Sequence, residues 1–509
     1  MPYKPKTQAG IVLFLIIVLG VTPLFETATA ETEIHRRYEI KGKLDPTTQT
    51  LNGNLKISFK NDLDRQVKQV LFLVRPNLSR QKNPYLSDLN INAQYPQGFN
   101  PAWTRIKSVK SHQGKSVTWE WKTLPPALQT YSLERTLLSV EFDSPLEAGE
   151  TAQLTIQFQT RFPYRQTADE GVYKETYTWR FGWHPLLTPS DWWPSENAAQ
   201  KSKIEFPTAN YTARITVPEG WEVLHSQKKT DDSEKTVTHT VKLPHARSLP
   251  LVTGPKYQRL SMEFKEIDIR MLFYAGYNQE ARLFATYVKD ILSYYSSRYG
   301  DYPRNHLTIV QSPLSGQFGL AADGVIILGD SFFSARNLAL SPLMDRMTEY
   351  LLAHEVAHQW FGIGLGADLN AQNWISEAFS EYGAVSYFEN KYEPNAGNLF
   401  QFEQEGFLRG AIESQLGYVN LRKHTFELPY LLAFQDGFDE AVIKPAKEVR
   451  YSNYSQVRTY KKGYLILRTV ENAIGVENMS RFINRAFREF KPGFARSEER
   501  RVGKECIVK

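Results

Sequence analysis

Cysteine is nearly missing from this 509-residue chain, which has Cys506 alone, so the fold uses no disulfide staples. Long apolar runs are almost as scarce. The one over residues 11–19 is short for a membrane span, and no second stretch approaches spanning length. With Lys4 and Lys6 before it and Ala28-Thr-Ala30 after it, this run has the pattern of a signal peptide cleaved after Ala30. The expectation is an exported protein, periplasmic or extracellular, with no stable membrane insertion after cleavage, and a retained N-terminal anchor is the weaker reading. Charge of one sign is also lacking. Residues 496–509 resemble a translated sequencing-adapter read-through and are expected to be a non-native tail. Setting aside that tail's five basic and three acidic residues, and Lys4, Lys6 and Glu26 of the leader, takes the net charge from +6 to +3. So small a balance on so long a chain excludes a nucleic-acid partner. No internal repeat or low-complexity segment is apparent.

Histidine is sparse too, at 10 residues, which makes one pair informative. His354 and His358 lie four apart in Tyr350-Leu-Leu-Ala-His-Glu-Val-Ala-His-Gln-Trp360, a run without Gly or Pro. On a helix they share one face, about 6 Å apart along the axis, and both imidazoles can reach one metal ion. Glu355 sits about 100° round the helix, outside the ligand plane but able to touch a metal-bound water, and is cast as general base. Catalytic zinc takes three side chains and leaves a fourth position open. Glu377 supplies the third, because the Gly- and Asn-rich stretch 362–373 reads as a loop and the helix over 374–387 returns the chain to the histidines. One Zn2+ per chain is expected.

These residues carry a resemblance. His354-Glu-Val-Ala-His-Gln-Trp-Phe-Gly362 with Trp374-Ile-Ser-Glu-Ala-Phe-Ser-Glu-Tyr382 resembles the gluzincin metallopeptidases typified by aminopeptidase N and leukotriene hydrolase. The resemblance implies peptide substrates and hydrolysis of peptide bonds, most simply by an aminopeptidase. It also implies a role for Tyr460, in Tyr460-Lys-Lys-Gly463 at the start of a later helix, as a neutral hydroxyl donor to the developing oxyanion. Most aminopeptidases of this family carry Gly-Ala-Met-Glu-Asn on an edge strand upstream, its Glu gripping the substrate's amine. The corresponding region here, 315–328, has no Glu, and Asp323 is its one carboxylate. Asp323 is therefore the candidate substrate-binding residue. An endopeptidase on the same zinc site, and a non-catalytic exported binding protein on this fold, are the alternatives.

The fold expected is multidomain α+β: an N-terminal β-sandwich-like domain over 31–260, then a thermolysin-like zinc catalytic domain over 261–495. Alternating runs such as Ala152-Gln-Leu-Thr-Ile-Gln-Phe-Gln-Thr160 carry the first half. The second has a short strand at 268–273, a helix over 278–299, a strand at 307–311, and a strand signal at 325–328. Further helices are expected over 343–361, 374–387, 398–415 and 463–490. Trp179, Trp183, Trp192 and Trp193 read as packing aromatics in preference to a sugar-stacking platform.

Overall fold

A computed structural model describes residues 35–495, apart from 85–86, 124–133, 167–169, 194–205, 234, 314–318, 335–340, 368–372, 393–413, 415–419, 445–448, 452–453 and 491–493. The leader over 1–30, the tail over 496–509 and nearly all of the helix expected over 398–415 lie outside the described residues. Among those described, no helix is long and apolar enough to cross a membrane.

The first half obeys its alternating pattern. In the strand Arg37–Asp45, Tyr38, Ile40 and Leu44 are buried while Arg37, Glu39, Lys41 and Lys43 face out, as a period of two on a half-buried sheet requires. This strand lies in a seven-stranded sheet, paired in parallel with Ala209–Pro218 and antiparallel with Thr50–Lys60. Two four-stranded sheets, built around Val67–Leu73 with Leu137–Leu146 and around Thr176–Trp179 with Leu251–Gly254, share one apolar core with it. The four tryptophans belong to that core, each 2% exposed or less. The Trp183 indole donates to the Leu249 carbonyl at 2.8 Å and that of Trp179 to Phe181 at 3.0 Å. Each such buried ring contributes on the order of 1.5–3 kcal/mol, and no face is left for a sugar.

The second half has its own core. Its five-stranded sheet runs Tyr257–Phe264, Ile267–Tyr274, His306–Ser312, Val325–Gly329 and Gly319–Ala322. The first of these strands crosses the expected boundary at 260 and pairs with Ile267–Tyr274, so the second sheet begins at Tyr257. Helix Asn278–Tyr299 links two parallel strands, and its buried Phe284, Val288, Ile291, Leu292 and Tyr295 recur at helical spacing. The Tyr295 hydroxyl donates to the Ala353 carbonyl at 2.9 Å, tying this helix to the one that carries the histidines.

Four local expectations need correction. The histidine helix runs Ser341–Ala357, and beyond it the chain tightens into three-residue turns, Gln359 N–H to Val356 and Trp360 N–H to Ala357. Gly362 then takes φ 95°, where an added Cβ would strike Ser376 Oγ at 2.2 Å. Second, the supposed loop after it contains two short strands, Phe361–Gly362 and Leu365–Ala367. Third, the helix expected over 463–490 is broken in two, Gly463–Ile474 and Val476–Phe490. Gly475 at φ 85° donates its N–H to Glu471 at 2.7 Å and ends the first. Fourth, the strand Val325–Gly329 is interior, and the edge is Gly319–Ala322.

Candidate metal centre

Two helices build the centre. Ser341–Ala357 and the turn that follows present His354 and His358, and Asn373–Lys391 presents Glu377. His358 keeps its helical relation to His354, with an N–H to His354 O bond of 3.3 Å. The two Nε2 atoms lie 3.1 Å apart, and each lies 3.4 Å from Glu377 Oε2. Bonds of about 2.0–2.1 Å at tetrahedral angles put neighbouring ligand atoms about 3.3 Å apart. The donor set therefore fits one zinc ion, with three N and O ligands and one corner open.

The ligands are held by a layer that sequence reasoning missed. His358 Nδ1 lies 3.2 Å from the Phe361 carbonyl and 3.1 and 3.0 Å from the hydroxyls of Ser376 and Ser380. A carbonyl can only accept, so Nδ1 carries the hydrogen and Nε2 offers its lone pair inward. His354 Nδ1 faces Glu381 Oε2 at 3.4 Å. Glu381 is fixed in turn by the Tyr350 hydroxyl and by Lys461 Nζ at 3.5 Å. Burial pushes the Glu381 carboxyl up, but His354, Lys461 and Tyr350 outweigh it and bring it down to about 2. Burial likewise opposes ionisation of Glu377, and the two imidazoles overcome it and hold that carboxyl well below the usual range.

Glu355 is buried at 6% exposure. Burial raises its carboxyl, against the lowering influence of the histidines and of Arg180, which follows the strand Thr176–Trp179. The edge strand passes so close that a Cβ on Gly319 would lie 2.8 Å from Glu355 Cγ. Only glycine permits that approach.

Tyr460 sits in a π-helical stretch, Val457–Lys462, where a helix start was expected. Its ring stacks on that of His354 at 6.1 Å and 16°, and its hydroxyl feels the charge of Glu377. Burial and then Glu377 hold the phenol well above its ordinary value, so it remains a donor. The glycine three residues on has a steric reason: a Cβ on Gly463 would meet Ala378 Cβ at 2.6 Å, so its absence lets the Tyr460 segment close on the Glu377 helix.

Asp323 is not brought to the metal. It lies in the turn between Gly319–Ala322 and Val325–Gly329, where Arg304 Nη2 reaches it at 2.7 Å and the backbone N–H groups of Arg247 and Ser248 at 3.2 and 3.3 Å. This corrects the expected amine-binding role, because the carboxylate is 5% exposed and already engaged by three donors.

A His-Glu-x-x-His helix with a third acidic donor, after a mainly β half, fits the resemblance to gluzincins, and comparison with known proteins points the same way. Residues 285–499 match the Peptidase family M1 domain. Mouse aminopeptidase O is 27% identical over 208 residues, covering 39% of this chain and 23% of that protein. Aminopeptidase 2 of Candida albicans is 21% identical over 375 residues, covering 71% and 37%. The matches thus span well under two thirds of these relatives' length. The fold is similar to that of an M1 zinc metallopeptidase from Deinococcus radiodurans, with a TM-score of 0.58 at 15% identity over 91% of this chain and 88% of that one. A mutant of that protein has been crystallised with a Tyr-Ser-Ala substrate.

Proposed function

We propose that this chain is an exported zinc-dependent peptidase, with aminopeptidase activity as the leading specificity. The observation that carries the proposal is the near-tetrahedral spacing of His354, His358 and Glu377 with Glu355 and Tyr460 around one open corner. A zinc ion held there supplies Lewis-acid polarisation and an acidified water. Glu355, buried and able to take up a proton, accepts it from the attacking water and passes it to the leaving nitrogen. Tyr460 donates its hydroxyl hydrogen to the oxyanion as charge develops. His354 and His358 are kept in the productive tautomer by Glu381 and the Phe361 carbonyl. Export is supported by the leader pattern over 1–30.

Relatives named aminopeptidases support exopeptidase specificity, but one observation favours endopeptidase activity as a second reading. Asp323 is locked under Arg304, residues 314–318 contain no acid, and the further charge near Glu355 comes from Arg180, which repels an ammonium group. Hydrolysis of Tyr-Ser-Ala and its N-acetylated form by the purified protein separates the two. The aminopeptidase reading expects cleavage of the free peptide alone. Equal cleavage of both transfers the same chemistry to an endopeptidase, and cleavage of neither, with zinc bound, returns the chain to the non-catalytic alternative.

A further inference from the structure

The β half holds a second place where unlike groups converge, apolar rings and guanidinium groups around one cavity. A cavity of about 330 Å³ opens between two sheet edges, the strand Trp103–Ser111 of the seven-stranded sheet and the strand Thr118–Lys122 of a four-stranded one. Trp103, Trp119 and Trp121 line it, each only partly buried, together with Arg80, Arg105 and Arg135. Trp119 and Trp121, two apart on one strand, stand edge to face with centroids 6.1 Å apart at 84°. Arg105 lies 4.3 Å over the Trp103 ring.

The fold accounts for these side chains only in part. Trp119 and Trp121 pack one side against the core, but with Trp103 they keep open surface at a sheet edge, where a polar residue would cost less. Among the described residues no carboxylate forms an ion pair with any of the three arginines. Arg80 loses proton affinity first through burial and then through the charges of Arg135 and Arg105, and Glu134 alone compensates. The connecting stretch 124–133 has no acidic residue in its sequence. Like charges gathered round apolar rings are stabilised when an anion arrives.

We propose that this cavity binds a saccharide carrying an anionic substituent, a carboxylate or a phosphate. The two indoles at right angles form a corner that packs the apolar C–H faces of a pyranose, and the guanidinium groups take the anion in charge-assisted bonds. A nucleobase fits less well, because it needs a parallel aromatic slot, and the one parallel face, that of Trp103, is covered by Arg105. The volume lies at the small end of ligand pockets and suits a short saccharide. None of the lining residues belongs to the metal centre, so the proposal stands apart from the peptidase reading.

Isothermal titration of the full-length protein with digalacturonate, glucose 6-phosphate, lactose and AMP tests it. One or both anionic saccharides should bind, and preference between them identifies the anion. Arg105→Ala and Trp119→Ala should each weaken that binding roughly tenfold or more, as loss of a charge-assisted bond or a stacking face implies, while peptide hydrolysis and the melting temperature of Arg105→Ala stay unchanged. If Trp119→Ala does not fold, Arg105→Glu decides alone, since its surface position spares the core. The proposal is overturned if neither anionic saccharide binds, if lactose binds as well, if AMP is preferred, or if binding survives the arginine replacement.

Discussion

The metal centre and the hairpin turn at Asp323 each bury a carboxylate, and they do so in opposite ways. Asp323 meets a guanidinium and two backbone N–H groups, so its charge is spent on holding the β half against the second sheet. Glu355, in contact with the same hairpin at Gly319, has among the described residues no donor bonded to it. Burial pushes both carboxyls up, so it is the bonded donors that tell them apart. A buried carboxylate with all its partners present is architecture. One left without them beside a metal cage is poised to move a proton.

The comparison breaks most readily at the cage. His358→Ala should lose zinc and abolish hydrolysis, because two ligands do not hold the ion in a catalytic tetrahedron; metal analysis with near-stoichiometric zinc and normal turnover would refute the site. Tyr460→Phe comes next. Loss of one oxyanion donor costs roughly 100- to 1000-fold in kcat with KM little changed, and unchanged kcat with a raised KM would assign Tyr460 to packing. Glu381→Gln should cost about 10- to 100-fold in zinc affinity or activity, as expected of a partner that orients a ligand. Equilibrium dialysis against a zinc buffer reads it, and wild-type affinity with wild-type rate would detach Glu381 from the centre. Asp323→Asn should change KM for free peptides least of all. Its effect belongs to stability: Arg304 keeps the carbonyls of Pro244 and His245 but loses its buried carboxylate, at a cost of about 3–5 kcal/mol. A raised KM confined to free peptides, with unaltered melting, would restore Asp323 to the substrate.

How much of this was legible in the sequence follows the same division. The spacing of His354, Glu355 and His358 is set by helix geometry alone, and Glu377 by the next helix, so both could be read from local pattern. Glu381 lies four residues beyond Glu377 on the same helix face, and that spacing was the available signal. Its meaning depended on Tyr350 and Lys461 arriving from elsewhere. The fate of Asp323 was not legible, because Arg247 and Ser248 reach it across the junction of the two halves. The break at Gly475 was legible as a lone glycine but was read through, since the apolar periodicity continues on both sides. The π-helical turn under Tyr460 left no local signal, while the close approach it needs was written in Gly463.

Zinc content and turnover of Glu355→Gln, measured on one preparation, test the central claim most directly. The replacement keeps the shape and the three ligands but removes the proton acceptor. The account predicts about one zinc per chain with turnover lower by several decades. Loss of zinc would make Glu355 a ligand, and retained turnover would remove it from the chemistry.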